Sequence, residues 1–440
     1  MLKKKILLIQ PTPYDHKGHL IKKSKLYFVG LALPLLAALT PTDWEVELCL
    51  ETIEEVPFDT DADVVGISSM GHAVIRSIDI AKEFKKRNKT VLLGGYMVSL
   101  MPEEAKKYCD AVIIGDAEEV WAEVLKDAEA GNLKPFYKRE LSQLTTPVPR
   151  YELLMNKKIG NFLPVQAGRG CPHSCSFCSV SCLYHGRYIR RNIEEVVRDI
   201  KQVKSLGFKR FLLLDDNILS DPPYLEALCE EIKRLGMTWL SQCSITIGKN
   251  KKLLEKVADS GCVALSFGLE SLVKESLEGM NKSWARPEEY EELIRNIRAA
   301  GIDVSTEMVF GADGDTTGSI LETADFIEKN RIVVPRFYIL TPIPGTVFYE
   351  EMKRDNRICK EDIYSYNGTE AVHIPLKMTP EELTESYWKL YNKVFSIKSI
   401  WKRTVMHENF IRRPWVYLFY LSVNLFYRFQ IRRKIPPNII

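Results

Sequence analysis

The stretch Cys171-Pro-His-Ser-Cys175-Ser-Phe-Cys178 constrains this chain more than any other. It follows Gly168-Arg169-Gly170, and its glycines and Pro172 favour a loop over a helix. A compact loop can aim three thiolates at one centre. Three thiolates suit a 4Fe–4S cluster, whose fourth iron is then free for a substrate or cofactor. A structural zinc site is the alternative. Such sites are closed by a fourth ligand, and Cys182 or His173 is available. However, zinc motifs usually join two short Cys pairs across a longer loop.

The ten cysteines have irregular spacing, which fits a reducing, cytoplasmic setting better than a disulfide scaffold. The first residues, Met1-Leu-Lys-Lys-Lys-Ile-Leu-Leu-Ile, begin like a signal peptide. The apolar run is short and meets Gln10-Pro-Thr-Pro at once, so a buried first strand is expected. A net charge of +3 points to no nucleic acid or other polyanion. With 440 residues, 45% of them hydrophobic, about three domains are expected.

Up to residue 135, short apolar runs alternate with helical patterns. Ile6–Gln10, 45–50, 64–68, 90–93 and 111–114 read as strands. Residues 28–39 read as a helix interrupted by Pro34, 73–86 as an amphipathic helix and 118–130 as a closing one. This alternation predicts a parallel, doubly wound α/β sheet, with ligands beyond the carboxyl ends of its strands. The loops expected there are Ser68-Ser69-Met-Gly-His72, Gly94-Gly95-Tyr96-Met97 and Gly115-Asp116-Ala-Glu118. Residues 136–162 show no persistent period and read as a linker.

From Leu163 the pattern repeats as helix, Gly, strand. Helices over 193–206, 224–235, 253–260 and 287–300 stop at Gly207, Gly236, Gly261 and Gly301, and a strand follows each. Six strands fit before Leu340. That predicts a partial parallel (β/α)6 barrel over 163–375, with polar residues at its strand ends facing the active site. Those residues are Asp215, Asp216 and Asn217, then Gln242, then Glu270 and Ser271, with Glu307 on the fifth strand. Helix capping is an alternative role for Asn217 and Ser271.

The C-x3-C-x2-C loop, with Phe177 before its last cysteine, resembles the signature of the radical SAM enzymes. The unit before it resembles the cobalamin-binding domain that precedes many of them, through Leu93-Gly-Gly-Tyr-Met-Val-Ser-Leu-Met-Pro-Glu-Glu-Ala105 and Val112-Ile-Ile-Gly-Asp-Ala-Glu118. The resemblance implies that Cys171, Cys175 and Cys178 hold the cluster and that its open iron takes S-adenosylmethionine (SAM). It places Phe177 near the adenine, and Asp215, Asp216 and Asn217 near the methionine end. Gln242, Glu270, Ser271 and Glu307 complete the SAM contacts. Cobalamin is expected against Ser68, Ser69, Gly94, Gly95, Tyr96, Gly115, Asp116 and Glu118. The D-x-H-x-x-G motif of the cobalamin mutases is absent. Asp15-His16-Lys17-Gly18 has the wrong spacing, leaving His16 or His72 as axial candidates and a cofactor-free domain as an alternative.

The implied activity is methylation of an unactivated carbon on a small, hydrophobic or lipid-like substrate, with an external electron donor such as flavodoxin or ferredoxin. A radical cyclisation or rearrangement without methyl transfer, or a non-catalytic metal-binding scaffold, are the alternatives.

Residues 376–440 predict a helical tail. Thr379 caps a helix with Pro380 in its first turn. Residues 398–440 hold nine Lys or Arg against one acid, Glu408, around the aromatic run 415–427. That run is too short to span a bilayer. It fits either an interfacial helix on an anionic membrane or a helix packed over the barrel with a basic outer face.

Overall fold

The computed structural model describes residues 4–361, 365–366 and 368–437. The ends of the expected first and last segments, 1–3 and 438–440, lie outside the described residues. By internal contact the chain forms two compact units. One runs to Arg169 and includes Tyr188–Leu214; the other comprises Gly170–Arg187 and the chain from Asp215 onward.

The first unit contains strands β1 Lys4–Gln10, β2 Leu26–Phe28, β3 Trp44–Leu50, β4 Val64–Ser68, β5 Thr90–Gly94, β6 Ala111–Ile114, β7 Phe136–Lys138 and β8 Ile159–Gln166. Six form a parallel sheet in the order β3-β1-β4-β5-β6-β7. Ile6, Leu7, Leu8 and Ile9 are fully buried, as expected of a strand covered on both faces. The strand order reverses direction between β1 and β4, which puts the loops after those two strands at a topological switch point, with the loops after β5 and β6 next along the same edge.

Two expectations fail here. Pro34 does not interrupt a helix. The helix is Ala32–Leu39, with Pro34 in its first turn, where its missing N–H is no loss, and Phe28 belongs to β2. The stretch expected to be an irregular linker supplies β7, which pairs with β6.

After β9 Gly168–Gly170 and β10 Tyr188–Arg190 come β11 Arg210–Leu214, β12 Thr238–Cys243, β13 Cys262–Glu270, β14 Asp303–Phe310 and β15 Val334–Ile339. The expected six strands between 163 and 340 are β8, β11, β12, β13, β14 and β15. Within the first unit β2, β8 and β11 pair in parallel. Within the second, β12 to β15 pair in parallel in chain order. The intervening helices stop where expected, and Gly207, Gly236, Gly261 and Gly301 all have positive φ.

Alternation sorts the faces of these strands. Trp239, Phe267 and Phe337 are fully buried on one side. Gln242, Ser266, Glu307, Arg336 and Tyr338 alternate with them and are more exposed. Thr379 and Glu382 form a capping box on the helix Pro380–Val394, as the sequence predicts. Among the described residues no helix is long and apolar enough to cross a membrane.

Candidate active site

In the second unit, the cysteine loop is fixed from several sides. Gly170 has φ +84°, and a Cβ there would lie 2.1 Å from the Arg187 carbonyl oxygen, so only glycine fits before Cys171. Its N–H donates to Asp216 Oδ2 at 2.7 Å. Ser176 N–H donates to the Met280 carbonyl, and Phe348 N–H donates to the Ser176 carbonyl. Asn281 Nδ2 donates to the Ser174 carbonyl at 2.7 Å and to its Oγ at 3.0 Å. His173 stacks on Trp284 with ring centroids 4.1 Å apart.

The three thiols sense one another electrostatically. Burial pushes Cys175 up to about 12 and raises Cys171 and Cys178, and each feels the charge of a neighbouring thiolate or acid. Such thiols stay protonated until metal displaces the proton. Among the described residues no three thiol, imidazole or carboxylate groups converge on a single point, as one ion requires. Cysteines that each bind a separate iron of a cubane need no such convergence. Cys182 is turned away, with its thiol donating to the Gly345 carbonyl at 2.8 Å. The donor set fits a three-cysteine cluster. Phe177 is half-buried in the same loop.

Asp215 accepts the Asn217 N–H at 2.9 Å. Asn217 Oδ1 accepts the N–H groups of Leu219 and Ser244, so it caps the turn that follows. Ser271 is also bound within its loop, donating to Asp315 Oδ1 and accepting the Val273 N–H. Asn217 fills the capping role weighed above; Ser271 does not, because the helix Lys274–Gly279 that follows it starts at Val273 with no side-chain cap. Gln242 is exposed at the end of β12.

Glu270 sits at a register shift between β13 and β14 with φ +61°, a conformation that costs a non-glycine residue about 1–2 kcal/mol. Its Oε1 is 2.7 Å from Lys282 Nζ, which also donates to the Gly268 carbonyl at 2.8 Å. Burial pulls the Lys282 ammonium down and the Glu270 charge pulls it up, and the net lies above the usual lysine value. Glu307 Oε1 accepts from Arg336 at 2.5 Å and from Ser266 Oγ at 3.2 Å.

Lys282, Asn281, Trp284 and Arg336 were not expected from sequence. A lysine in a polar turn reads as solvated, and nothing local reveals its burial. Strand alternation does place Arg336 on the same face as Glu307's neighbours, and was the one signal available for it.

In the first unit, the loops after β4, β5 and β6 close on one another. Gly95 has φ +106°, and a Cβ there would lie 2.0 Å from the Ser69 carbonyl oxygen. Ser69 is fully buried, and its Oγ has no hydrogen-bond partner. Ser99 Oγ accepts the Gly115 N–H at 2.8 Å and donates to the Gly95 carbonyl. Ser68, Gly94 and Tyr96 lie at the same strand ends, half-buried. A glycine cradle beside an orphaned hydroxyl suits close approach by a ligand's polar edge.

Arg169 bridges Asp116 at 2.6 Å and Glu118 at 2.5 Å. Arg191 is buried against Asp199 and the Gln166 carbonyl, a structural role. Among the axial candidates, His16 is exposed and His72 is half-buried in the turn Gly71–Ala73.

Comparison with known proteins adds three kinds of match. The radical SAM superfamily model matches residues 165–327, and the B12-binding domain model matches residues 30–125. A bacteriochlorophyllide d C-12(1)-methyltransferase of Chlorobaculum tepidum is 33% identical over 412 residues, covering 91% of this chain and 89% of that protein. Two solved folds are similar. The radical SAM methyltransferase TsrM of Kitasatospora setae, solved with cobalamin and a 4Fe–4S cluster, has a TM-score of 0.65, 18% identity, and coverage of 80% of this chain and 75% of that one. The cobalamin-dependent radical enzyme OxsB has a TM-score of 0.70, 13% identity, and coverage of 97% and 72%.

Proposed function

The chain belongs to the cobalamin-dependent radical SAM methyltransferase family, and on that premise we propose that it methylates an unactivated carbon of a large hydrophobic, chlorin-like or lipid-like molecule. Its fold is a doubly wound B12-binding sheet and a radical SAM partial barrel. It is an enzyme, and its cofactors are a 4Fe–4S cluster, SAM and cobalamin. The substrate class rests on the bacteriochlorophyllide named for the relative at 33% identity, which matches this chain over most of both lengths.

When bound, these cofactors supply the electron, the 5′-deoxyadenosyl radical and the methyl group. The chain's own residues hold and shield them. Cys171, Cys175 and Cys178 each take one iron, and Asp216 fixes the Gly170 N–H that opens their loop. Phe177 packs beside the adenine. Lys282 keeps Glu270 in place at the end of β13, where Glu270, Asp215 and Gln242 would hold the polar end of SAM. Glu307 and Arg336 line the open strand face. Asn217 and Ser271 act through the turns they lock. Gly94, Gly95, Gly115 and the Ser69 hydroxyl receive cobalamin, with Ser68 and Tyr96 at its rim, and Asp116 and Glu118 shaped by Arg169. On this reading the cobalamin domain runs through β7, the barrel covers 163–375 and the tail 376–440. A flavodoxin or ferredoxin in a reducing cytoplasm is the electron source.

The observation that carries the reading is the three-thiol loop, held on both flanks with its fourth nearby cysteine engaged elsewhere. The test is anaerobic reconstitution with iron, sulfide and cobalamin, followed by SAM bearing a deuterated methyl group, a reductant and a candidate apolar substrate. Formation of 5′-deoxyadenosine with a labelled product supports methyl transfer. Deoxyadenosine without label indicates cyclisation or rearrangement. Neither product, from a protein with a full cluster, overturns the enzymatic reading.

A further inference from the structure

The helix Pro414–Ile431 buries polar groups among apolar ones: the Tyr417 and Tyr420 rings pack with Val333, Val334, Phe410 and Val416. Tyr417 and Tyr420 hydroxyls donate to the two oxygens of Asp303, at 2.8 and 2.9 Å. Asn424 donates to the Val333 carbonyl and accepts from Arg403, itself fully buried. The outer face of the helix is apolar. Trp415, Leu418, Phe419, Leu425, Phe426 and Phe429 recur at helical spacing on one side, and each is between 40% and 82% exposed. Exposed Ser422 interrupts the stripe, its hydroxyl tied to the Phe419 carbonyl at 2.7 Å, and an apolar surface of this kind marks an interaction surface.

The charges around the stripe say what covers it. Arg412 stands exposed at one end, and Arg432, Arg433 and Lys434 at the other. No acidic residue follows Glu408 in the sequence. Arg433 folds back over the Phe429 ring, 4.0 Å from its centroid, carrying its charge along the edge of the stripe. A second copy of the chain is a poor occupant: parallel or antiparallel pairing of two such helices sets cationic ends against cationic ends with no acid to neutralise them. An anionic lipid surface matches both the aromatic stripe and its basic ends. Eighteen residues, about 27 Å at 1.5 Å each, then lie flat at the interface.

We propose that this helix docks the protein on an anionic bilayer through its Trp, Leu and Phe stripe, with the terminal arginines reaching the headgroups. Arg403, which the sequence groups with these cations, takes no part because it is buried. The docking helix is anchored at the starts of β14 and β15, on Asp303 and the Val333 carbonyl. The proposal goes beyond methyl transfer and does not depend on it.

The test is flotation of the full chain with phosphatidylcholine vesicles, with and without phosphatidylglycerol. Wild type is expected to float with the anionic vesicles. Phe419→Ser/Phe426→Ser/Phe429→Ser should lose about tenfold or more in binding, and Arg432→Gln/Arg433→Gln/Lys434→Gln should lose the preference for phosphatidylglycerol. The proposal is overturned if wild type stays soluble with both vesicle types at low salt. It is also overturned if the serine variant floats as wild type does, or if wild type is a lipid-free dimer that the serine variant makes monomeric. Should the serine variant lose its circular dichroism, brominated lipid decides. Quenching of tryptophan emission that Trp415→Phe removes supports docking; quenching that Trp415→Phe leaves unchanged refutes it.

Discussion

Replacing Lys282 by methionine keeps the length of the side chain and removes its charge. The side chains of Lys282 and Glu270 are 7% and 10% exposed, so solvent screens little of their 2.7 Å contact. The variant leaves the Glu270 carboxylate buried beside the Gly268 carbonyl that Lys282 also served. Breaking a buried pair from one side costs about 3–5 kcal/mol, most of it the stranded charge. Removing that charge as well recovers much of the loss, so Lys282→Met/Glu270→Gln should be more stable than Lys282→Met alone, contrary to simple addition. Anaerobic urea denaturation of the metal-free protein, followed by tryptophan emission, measures both. The pH dependence has a defined sign. Lys282 lies above the usual lysine value when folded, so its contribution is complete below the ordinary lysine range and is lost as pH rises through the raised value. A double variant less stable than the single one, by the sum of two independent losses, would refute the stranded-charge account.

Cys171→Ala, Cys175→Ala and Cys178→Ala should each empty the cluster site, while Cys182→Ala retains iron and sulfide; the reverse pattern for Cys178 and Cys182 would sink the ligand assignment. Gly95→Ala forces a Cβ onto the Ser69 carbonyl and should abolish cobalamin retention after desalting, whereas Gly279→Ala, outside the cradle and with nothing within 4 Å of the added Cβ, should retain the corrin absorption bands. Equal retention in both would show that the cradle is not the binding surface. Burial lowers His373 from 6.5 to about 4, so its neutral form stabilises the fold above pH 6.5 and that contribution is lost as pH falls through about 4, roughly 3 kcal/mol in all. His373→Gln should flatten the urea midpoint between pH 6.5 and 4, and an unchanged slope would exclude His373 as the acid-sensitive group.

Buried parallel strands announce themselves as Val, Ile and Leu runs, which is why β4 and β6 fall on the expected residues. β2 escaped because it is three residues long with Tyr27 and Phe28 exposed, and its partner β8 is more than a hundred positions away. The cysteine loop was legible because its chemistry is written in spacing along eight residues. Its supports were not. Lys282 and Trp284 are recruited by tertiary contact, and a buried lysine differs from a solvated one only in what surrounds it. Asp116 and Glu118 were found as acids at a strand end, but their shared arginine is set by folding. Glu270 carried a recognisable position, yet its left-handed backbone follows from a register shift that no local pattern records.

The hold of Asn281 on Ser174 spans 107 residues of chain. During synthesis at roughly 5–20 residues per second, the cysteines therefore leave the ribosome some 5–20 s before Asn281 does. Throughout that interval the loop has neither the Met280 carbonyl nor the Trp284 ring to fix it. Iron delivered to the nascent chain meets three unrestrained thiols, and oxidant meets the same three. A held, selective cluster site comes into being only once the β13-to-β14 connection has been made, so cluster loading is paced by translation of the barrel rather than of the cysteine motif.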